Sequence, residues 1–507
     1  MDRNRNRNNG SENNGNQNNE NGSTASWIYG ALGLTAAAAA TAAGAYLLAT
    51  RQNSATPRTE AQSSSRRRQD NTDQGSSFSL ASISSLLSRM TTNYSDKVIK
   101  PADVPNNPVI NNLNSLLADI YVRFVQLKCD DFQRHYKVFT NIFSTLHQTM
   151  KDVEPYFNKY SSDIKYAGSH YDRLRIKRPD EFDMDIVISL PLNYRLDPLN
   201  PFDSDFVLEP KGPGFVQLKM GQQFMRLPFR DGAEWQINRP AFEWKDDQQY
   251  LLRSNFINWF KSVAYKALNR HTSNGVPTFY VEGERFTVRN SESGPAFTIF
   301  IENGSGFRLD VDLVPALKFP ENRWPISSKY RSIPSNCQRG NWLLVPKPDK
   351  SAGPVDQSRV WRIALQDQER ELMKNLNNCK QIIRLLKKLR DAQGMKKIAS
   401  YYVKTLFLWE IVDRNDPVFW RKSQGELFTI MVQRFHQAMV NGTIPYFWNK
   451  SNNLIGGVNR AILNEYAAKL QSLLNVLQNP SEYKRVAKYL LTNEEFNSYN
   501  TRFLHLY

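Results

Sequence analysis

The sequence predicts an α/β protein of two lobes, a mixed α/β lobe followed by a C-terminal helical lobe. Three observations carry that expectation. Short apolar runs with every-second-residue alternation are spread between about residues 181 and 315, and two of them carry carboxylates on one side only. From about Glu369 onward, apolar positions recur at helical spacing in one segment after another. Strands with interspersed helices, then helices alone, make two packed units with a cleft between them.

The chain has 507 residues, too many for one ordinary domain but enough for a two-lobed unit with a tail. The formal net charge is +17; residues 1–105 hold eleven Lys/Arg and eight Asp/Glu, so the tail carries +3 and the remaining +14 belongs to the part expected to fold. A basic globular surface of that size suits a polyanion: nucleic acid, nucleotide phosphates or an acidic membrane face. Three widely spaced cysteines, Cys129, Cys337 and Cys379, exclude a disulfide framework and a C-x-x-C knuckle, and the six scattered histidines offer no zinc site.

Residues 1–26 are Asn-, Gly- and Ser-rich with few apolar side chains, the composition of a disordered tail. From Trp27 to Ala49 there is no charge, and Trp27, Tyr29 and Tyr46 stand where interfacial aromatics would. That run is long enough to span a bilayer and is expected to be a transmembrane anchor; the arginines that follow it, Arg51, Arg58 and Arg66–Arg68, place the C-terminal bulk in the cytosol. Which organelle it would anchor to, mitochondrial outer membrane or endoplasmic reticulum, stays open. Residues 50–105 read as a flexible tether. The α/β lobe is expected over 106–365 and the helical lobe over 366–507.

In the first lobe, Leu113, Leu116, Leu117, Ile120, Phe124 and Leu127 begin a helical pattern that continues to Leu146, with Arg123, Lys128, Arg134 and Lys137 outward. Residues 194–245 read as strands with loops, and Leu251 to Asn269 as a helix. Strands follow at Thr278–Val281, Phe286–Val288, Ala296–Ile301 and Phe307–Pro315. In the second lobe, helices are expected at Leu372–Arg390, Lys397–Val412, Gly425–Val440, Asn459–Leu477 and Pro480–Leu491.

The chemistry lies in the carboxylates. Glu181 and Asp183 are two apart, so on a strand both leave the same face, and Asp312 can lie beside them if its strand pairs with theirs. Three converging carboxylates repel unless a cation balances them, and oxygen-only donors favour Mg²⁺ or Mn²⁺. Gly168-Ser169, about a dozen residues before, has the small residues that let backbone N–H groups and a hydroxyl hold phosphates. In that order these pieces outline a nucleotidyltransferase site.

The pieces that carry a family resemblance are Gly168-Ser169, Pro179-Asp180-Glu181-Phe182-Asp183, Val311-Asp312-Leu313, Leu343-Leu344-Val345-Pro346-Lys347, Val360-Trp361-Arg362 and Ser400-Tyr401-Tyr402-Val403-Lys404-Thr405. Together, over roughly residues 106–495, the chain resembles the Mab-21 / cyclic GMP-AMP synthase-like receptor family. The resemblance implies a two-lobed nucleotidyltransferase fold, ATP and GTP as substrates and a cyclic dinucleotide as product. It implies Glu181, Asp183 and Asp312 as metal ligands, Gly168 and Ser169 as the phosphate loop, Arg362 as a nucleotide contact, Tyr401 stacked on a base and Ser400 on a phosphate. A basic residue on the preceding helix falls at Arg384, with Lys387 and Lys388 close in register. Asp185 shares the face by alternation, but the family pattern leaves it outside the ligand set.

Two departures refine the expectation. The His/Cys zinc insertion of the vertebrate DNA sensor would lie between Glu369 and Cys379, where only Cys379 is available, so no zinc is expected and the insect-type receptors, with double-stranded RNA as implied activator, are the nearer pattern. The N-terminal anchor and tether instead resemble the mitochondrial-dynamics adaptors of the same superfamily, which bind nucleotide without turnover. The competing reading is thus a catalytically silent nucleotide-binding adaptor; the retained carboxylates favour the enzyme.

Overall fold

The computed structural model describes residues 104–126, 129–167, 180–192, 205–212, 214–325, 329–349 and 353–506. The expected tail, anchor and tether, and the Gly168-Ser169 loop, lie outside the described residues.

The fold starts with helix α1 (Leu113–Ile120), fixed at its start by a capping box: Asn112 accepts from the Ser115 N–H at 2.9 Å while the Ser115 hydroxyl accepts from the Asn112 N–H. It passes into one π-helical turn, Tyr121–Val125, and is followed by the 25-residue helix α2 (Cys129–Val153). Strands β1 (Ser161–Ala167) and β2 (Glu181–Ile188) pair antiparallel. Strands β3 (Phe206–Pro210) and β4 (Phe215–Met220) come next, then helix α3 (Arg253–Arg270). After them run β5 (Thr272–Ser273), β6 (Val276–Val281), β7 (Glu284–Ser293), β8 (Ala296–Glu302) and the 13-residue β9 (Arg308–Pro320), then β10 (Asn341–Val345) and β11 (Val360–Ala364).

β9 is the axis of the sheet. Its Leu313 pairs with Met184 of β2 and Phe297 of β8, and its Leu317 pairs with Ile188 of β2 and Leu344 of β10. One edge of β9 therefore carries β2, in parallel, while the other carries β8 and then β10. Because paired residues point to the same side, register assigns the two faces. Phe182, Met184, Val311, Leu313, Phe297 and Trp361 lie on the inner face, where Phe139 of α2 meets Phe182 with ring centroids 4.9 Å apart and Phe256 of α3 meets Trp361 at 5.4 Å. The opposite face carries the acidic positions of β2 and β9, and a second small apolar cluster of Val187, Ala316, Leu343 and Ala364.

Helices α4 (Gln366–Leu372), α5 (Asn377–Ala392), α6 (Ser400–Arg414), α7 (Gln424–Asn441), α8 (Arg460–Leu477) and α9 (Asn493–Tyr499) build the helical lobe. A short hairpin, β12 (Pro445–Tyr446) and β13 (Asn449–Asn453), which periodicity did not predict, sits between α7 and α8.

Two expectations change. Residues 222–243 hold short helices, Gln222–Met225, Leu227–Arg230 and Trp235–Glu243, rather than strands and loops. And α1, grouped by sequence with the α/β lobe, packs on the helical lobe: the Gly425 N–H donates to Asn114 at 2.7 Å, and the Tyr499 hydroxyl donates to the buried Asp119 at 2.5 Å. A single buried cluster runs from Leu116 to Leu504 through both lobes.

Candidate active site

Parallel pairing puts Glu181 opposite Asp310 and Asp183 opposite Asp312. Four carboxylates thus share one face of two adjacent strands, with Asp185 one pleat further along. Asp310, Asp312 and Asp185 are compensated differently. Asp310 is bound by Arg308 at 2.9 Å; Asp312 accepts from the Thr298 hydroxyl, across on β8, at 2.5 Å; and Asp185, 2% exposed, accepts from the Gln366 amide at 3.4 Å. Glu181, Asp183 and Asp312 are half-buried. β1 ends at Ala167, in register with Asp183.

The donor chemistry here, carboxylates with a hydroxyl and no sulfur or imidazole, suits a hard divalent cation. Among the described residues, however, no group of three or more His, Cys, Asp or Glu side chains is drawn together closely enough to hold an ion. The backbone register brings Glu181, Asp183 and Asp312 onto one face; it does not bring their oxygens to one point.

Arg362 projects from β11 onto the same face, in register with Val345 of β10 and Phe215 of β4, and its guanidinium lies 5.5 Å from the Phe215 ring centroid. It is 4% exposed, and its Nε has no hydrogen-bond partner. Burial lowers its pKa, against the pull of Tyr446, Tyr401, Tyr402 and Glu369 around it, yet a guanidinium stays charged in any protein setting. A buried cation of this kind wants an anion. On strand geometry it stands roughly 15 Å from Asp312, two strands over and four or five residues along.

Tyr401, at the start of α6, is 8% exposed and donates its hydroxyl to Glu369 at 2.7 Å. Burial first, then Glu369, holds this phenol far above its usual pKa, so it stays a neutral donor. Glu369 also accepts from the Trp448 indole at 3.0 Å and pairs with Lys404 at 3.0 Å. Ser400 accepts from Arg390 at 2.7 Å. Arg384 on α5 donates to the Tyr121 hydroxyl. Its neighbours in register differ: Lys388 is bound by Glu495 at 2.6 Å, and Lys387 is 4% exposed.

The outward cations of α2 are compensated too, since Arg134 pairs with Glu284 at 3.1 Å and Lys137 with Glu282. Sequence reasoning missed Thr298, Gln366 and Glu369. None of the three has a local signal: Thr298 is brought to Asp312 only by the β8–β9 register, and Gln366 and Glu369 meet Asp185 and Tyr401, 181 and 32 residues away.

Residues 170–375 match the Mab-21 protein nucleotidyltransferase domain, and residues 378–472 match the Mab-21 protein HhH/H2TH-like domain. The chain is 33% identical over 391 residues to a cyclic GMP-AMP synthase-like receptor of Tribolium castaneum, covering 76% of this chain and 94% of that one. It is 30% identical over 416 residues to one of Ctenocephalides felis, covering 78% and 92%, and 29% identical over 389 residues to one of Aethina tumida, covering 76% and 93%. With an acidic face on β2 and β9, a buried arginine across the same sheet and a helical lobe behind it, the chain belongs to the Mab-21 nucleotidyltransferases of the cyclic GMP-AMP synthase-like receptor family.

Proposed function

We propose that this chain joins ATP and/or GTP into a cyclic dinucleotide in innate immune signalling, that double-stranded RNA activates it, and that residues 27–49 hold it at a membrane with the catalytic part in the cytosol. The observation that carries the reading is the register of Asp183 with Asp312, with Glu181 two residues before on the same face. Glu181, Asp183 and Asp312 would hold Mg²⁺ or Mn²⁺, which supplies charge neutralisation at the phosphates and acidifies the attacking hydroxyl.

The chain's own residues do the rest. Arg362 meets nucleotide anionic charge from the far end of the face. Glu369 locks the Tyr401 hydroxyl, so that the ring presents a fixed surface for a base, and Thr298 holds one Asp312 oxygen in place. Support for RNA as activator is the +14 charge outside the tail, which fits a duplex phosphate backbone.

The test is product formation by the purified chain with all four nucleoside triphosphates, Mg²⁺ or Mn²⁺, and long duplex RNA. A cyclic dinucleotide is expected, and Glu181→Gln/Asp183→Asn should make none. Equal product from that variant overturns the catalytic assignment.

A second reading has its own observation: the uncharged run 27–49 and the polar stretch after it resemble the anchor and tether of adaptors that bind nucleotide without turning it over. Nucleotide-dependent thermal stabilisation with no product under any RNA condition would decide for this silent adaptor.

A further inference from the structure

Helix α1 ends in a π-turn, and what that turn holds is a side chain of the opposite element. Tyr121, 6% exposed, is its first residue; its carbonyl accepts the Gln126 N–H at 2.8 Å, closing the wide turn. Its hydroxyl accepts from Arg384 Nη1, and the Arg384 guanidinium carbon lies 5.7 Å from the Tyr121 ring centroid. Single π-turns inside helices are uncommon and concentrate at functional sites.

The turn is itself anchored by further contacts. Phe124 meets Tyr499 edge-on at 5.6 Å, the Arg123 guanidinium lies 4.4 Å from the Phe503 ring centroid, and Asp119 is shared by Arg123 and the Tyr499 hydroxyl. A long flexible side chain loses binding strength when it must be ordered on each encounter. Here α1 has ordered it beforehand, from a part of the chain far in sequence from either site motif.

The geometry points to Tyr121 as a positioning residue for nucleotide binding: it fixes the Arg384 guanidinium against the π-turn and so couples the start of the described fold to that arginine. The inference rests on the reading of Arg384 as a nucleotide contact. Burial pushes the Tyr121 phenol above its usual pKa and Arg384 pulls it back only in part, which keeps the hydroxyl neutral and able to accept. Asp119, Arg123 and Tyr499 are support for the turn and touch no ligand in this scheme.

The experiment uses the full chain as wild type, Tyr121→Phe, Arg384→Gln and the double variant, with ATP and GTP as probes in Mg²⁺ buffer. Readouts are nucleotide Kd by calorimetry, KM and kcat where turnover is seen, and melting temperature without nucleotide. Tyr121→Phe removes one hydroxyl and keeps the ring. It should weaken binding of at least one nucleotide about tenfold or more, as for one lost charge-assisted hydrogen bond, with kcat within about twofold and the melting temperature lowered no further than one buried hydrogen bond requires. In the Arg384→Gln background the same substitution should add nothing.

A lowered melting temperature with unchanged Kd, or fully additive effects, overturns the positioning role and leaves Arg384's own role standing. Unchanged Kd in Arg384→Gln overturns both the nucleotide reading of Arg384 and the inference built on it.

Discussion

His147 is wholly enclosed, with its ring 5.4 Å from Phe157 and 5.9 Å from Phe143, and one nitrogen 3.2 Å from the Ser161 hydroxyl. Burial, helped by Lys151, drives its pKa down to about 3. The native imidazole is neutral, while in the unfolded chain it titrates at the usual 6.5. Its contribution is therefore intact above pH 6.5 and is lost progressively as pH falls from 6.5 toward 3, by at most about 1.4 kcal/mol per pH unit for one proton. Denaturant unfolding between pH 7 and 5 should show this slope in the wild type and lose about one proton of it in His147→Gln; an unchanged slope refutes the assignment. At the same scale, Thr298→Val should cut turnover roughly tenfold to a hundredfold by removing the hydroxyl that holds Asp312, the size of one hydrogen bond to a charged group. Steady-state kinetics of the two chains checks it. Glu181, Asp183 and Asp312 could be read from sequence because strand alternation exposes a face; Thr298, Gln366 and Glu369 could not, because the partners that give them meaning are 14, 181 and 32 residues away.

Among elements, long ones were legible and short ones were not. Helices α3, α7 and α8 have 18 residues each, five turns over which an apolar stripe stands clear of chance. The helices Gln222–Met225 and Leu227–Arg230 have four, barely one turn, so no period exists to be read. The β12–β13 hairpin defied prediction for a different reason: its strands carry Pro445, Asn449 and Asn453, poor strand residues, and it is held by tertiary contacts such as Trp448 on Glu369. Sequence proximity groups α1 with the α/β lobe, while its hydrogen bonds reach Gly425 of α7 and Tyr499 of α9, partners that no local pattern announces. Tyr499→Phe probes that junction. It removes the hydroxyl that Asp119 accepts from but leaves Arg123 on the same carboxylate, so a loss of about 1–2 kcal/mol is expected in denaturant unfolding, with no change in nucleotide Kd.

The molecule as a whole has two lobes and one core. Because the buried cluster runs unbroken from Leu116 to Leu504, neither lobe can melt and leave the other's apolar face covered. Calorimetry should find one transition whose calorimetric and van't Hoff enthalpies agree; two separated transitions would mean that the lobes are independent. The two-lobed architecture was legible from the change in period at Glu369, but the continuity of the core was not, since it depends on α1 crossing from one end of the sequence to the other lobe.

The patch of Val187, Ala316, Leu343 and Ala364, with Val345 against it, lies on the acidic face between the carboxylates and Arg362. All four are 0–6% exposed, so no solvent layer rests on them. Aliphatic matter that water cannot enter lowers the dielectric around it, and charges at either end of it are screened less than they would be across open solvent. The floor thus works as an insulator: four enclosed aliphatic side chains between the carboxylates and Arg362 set how strongly those charges are felt.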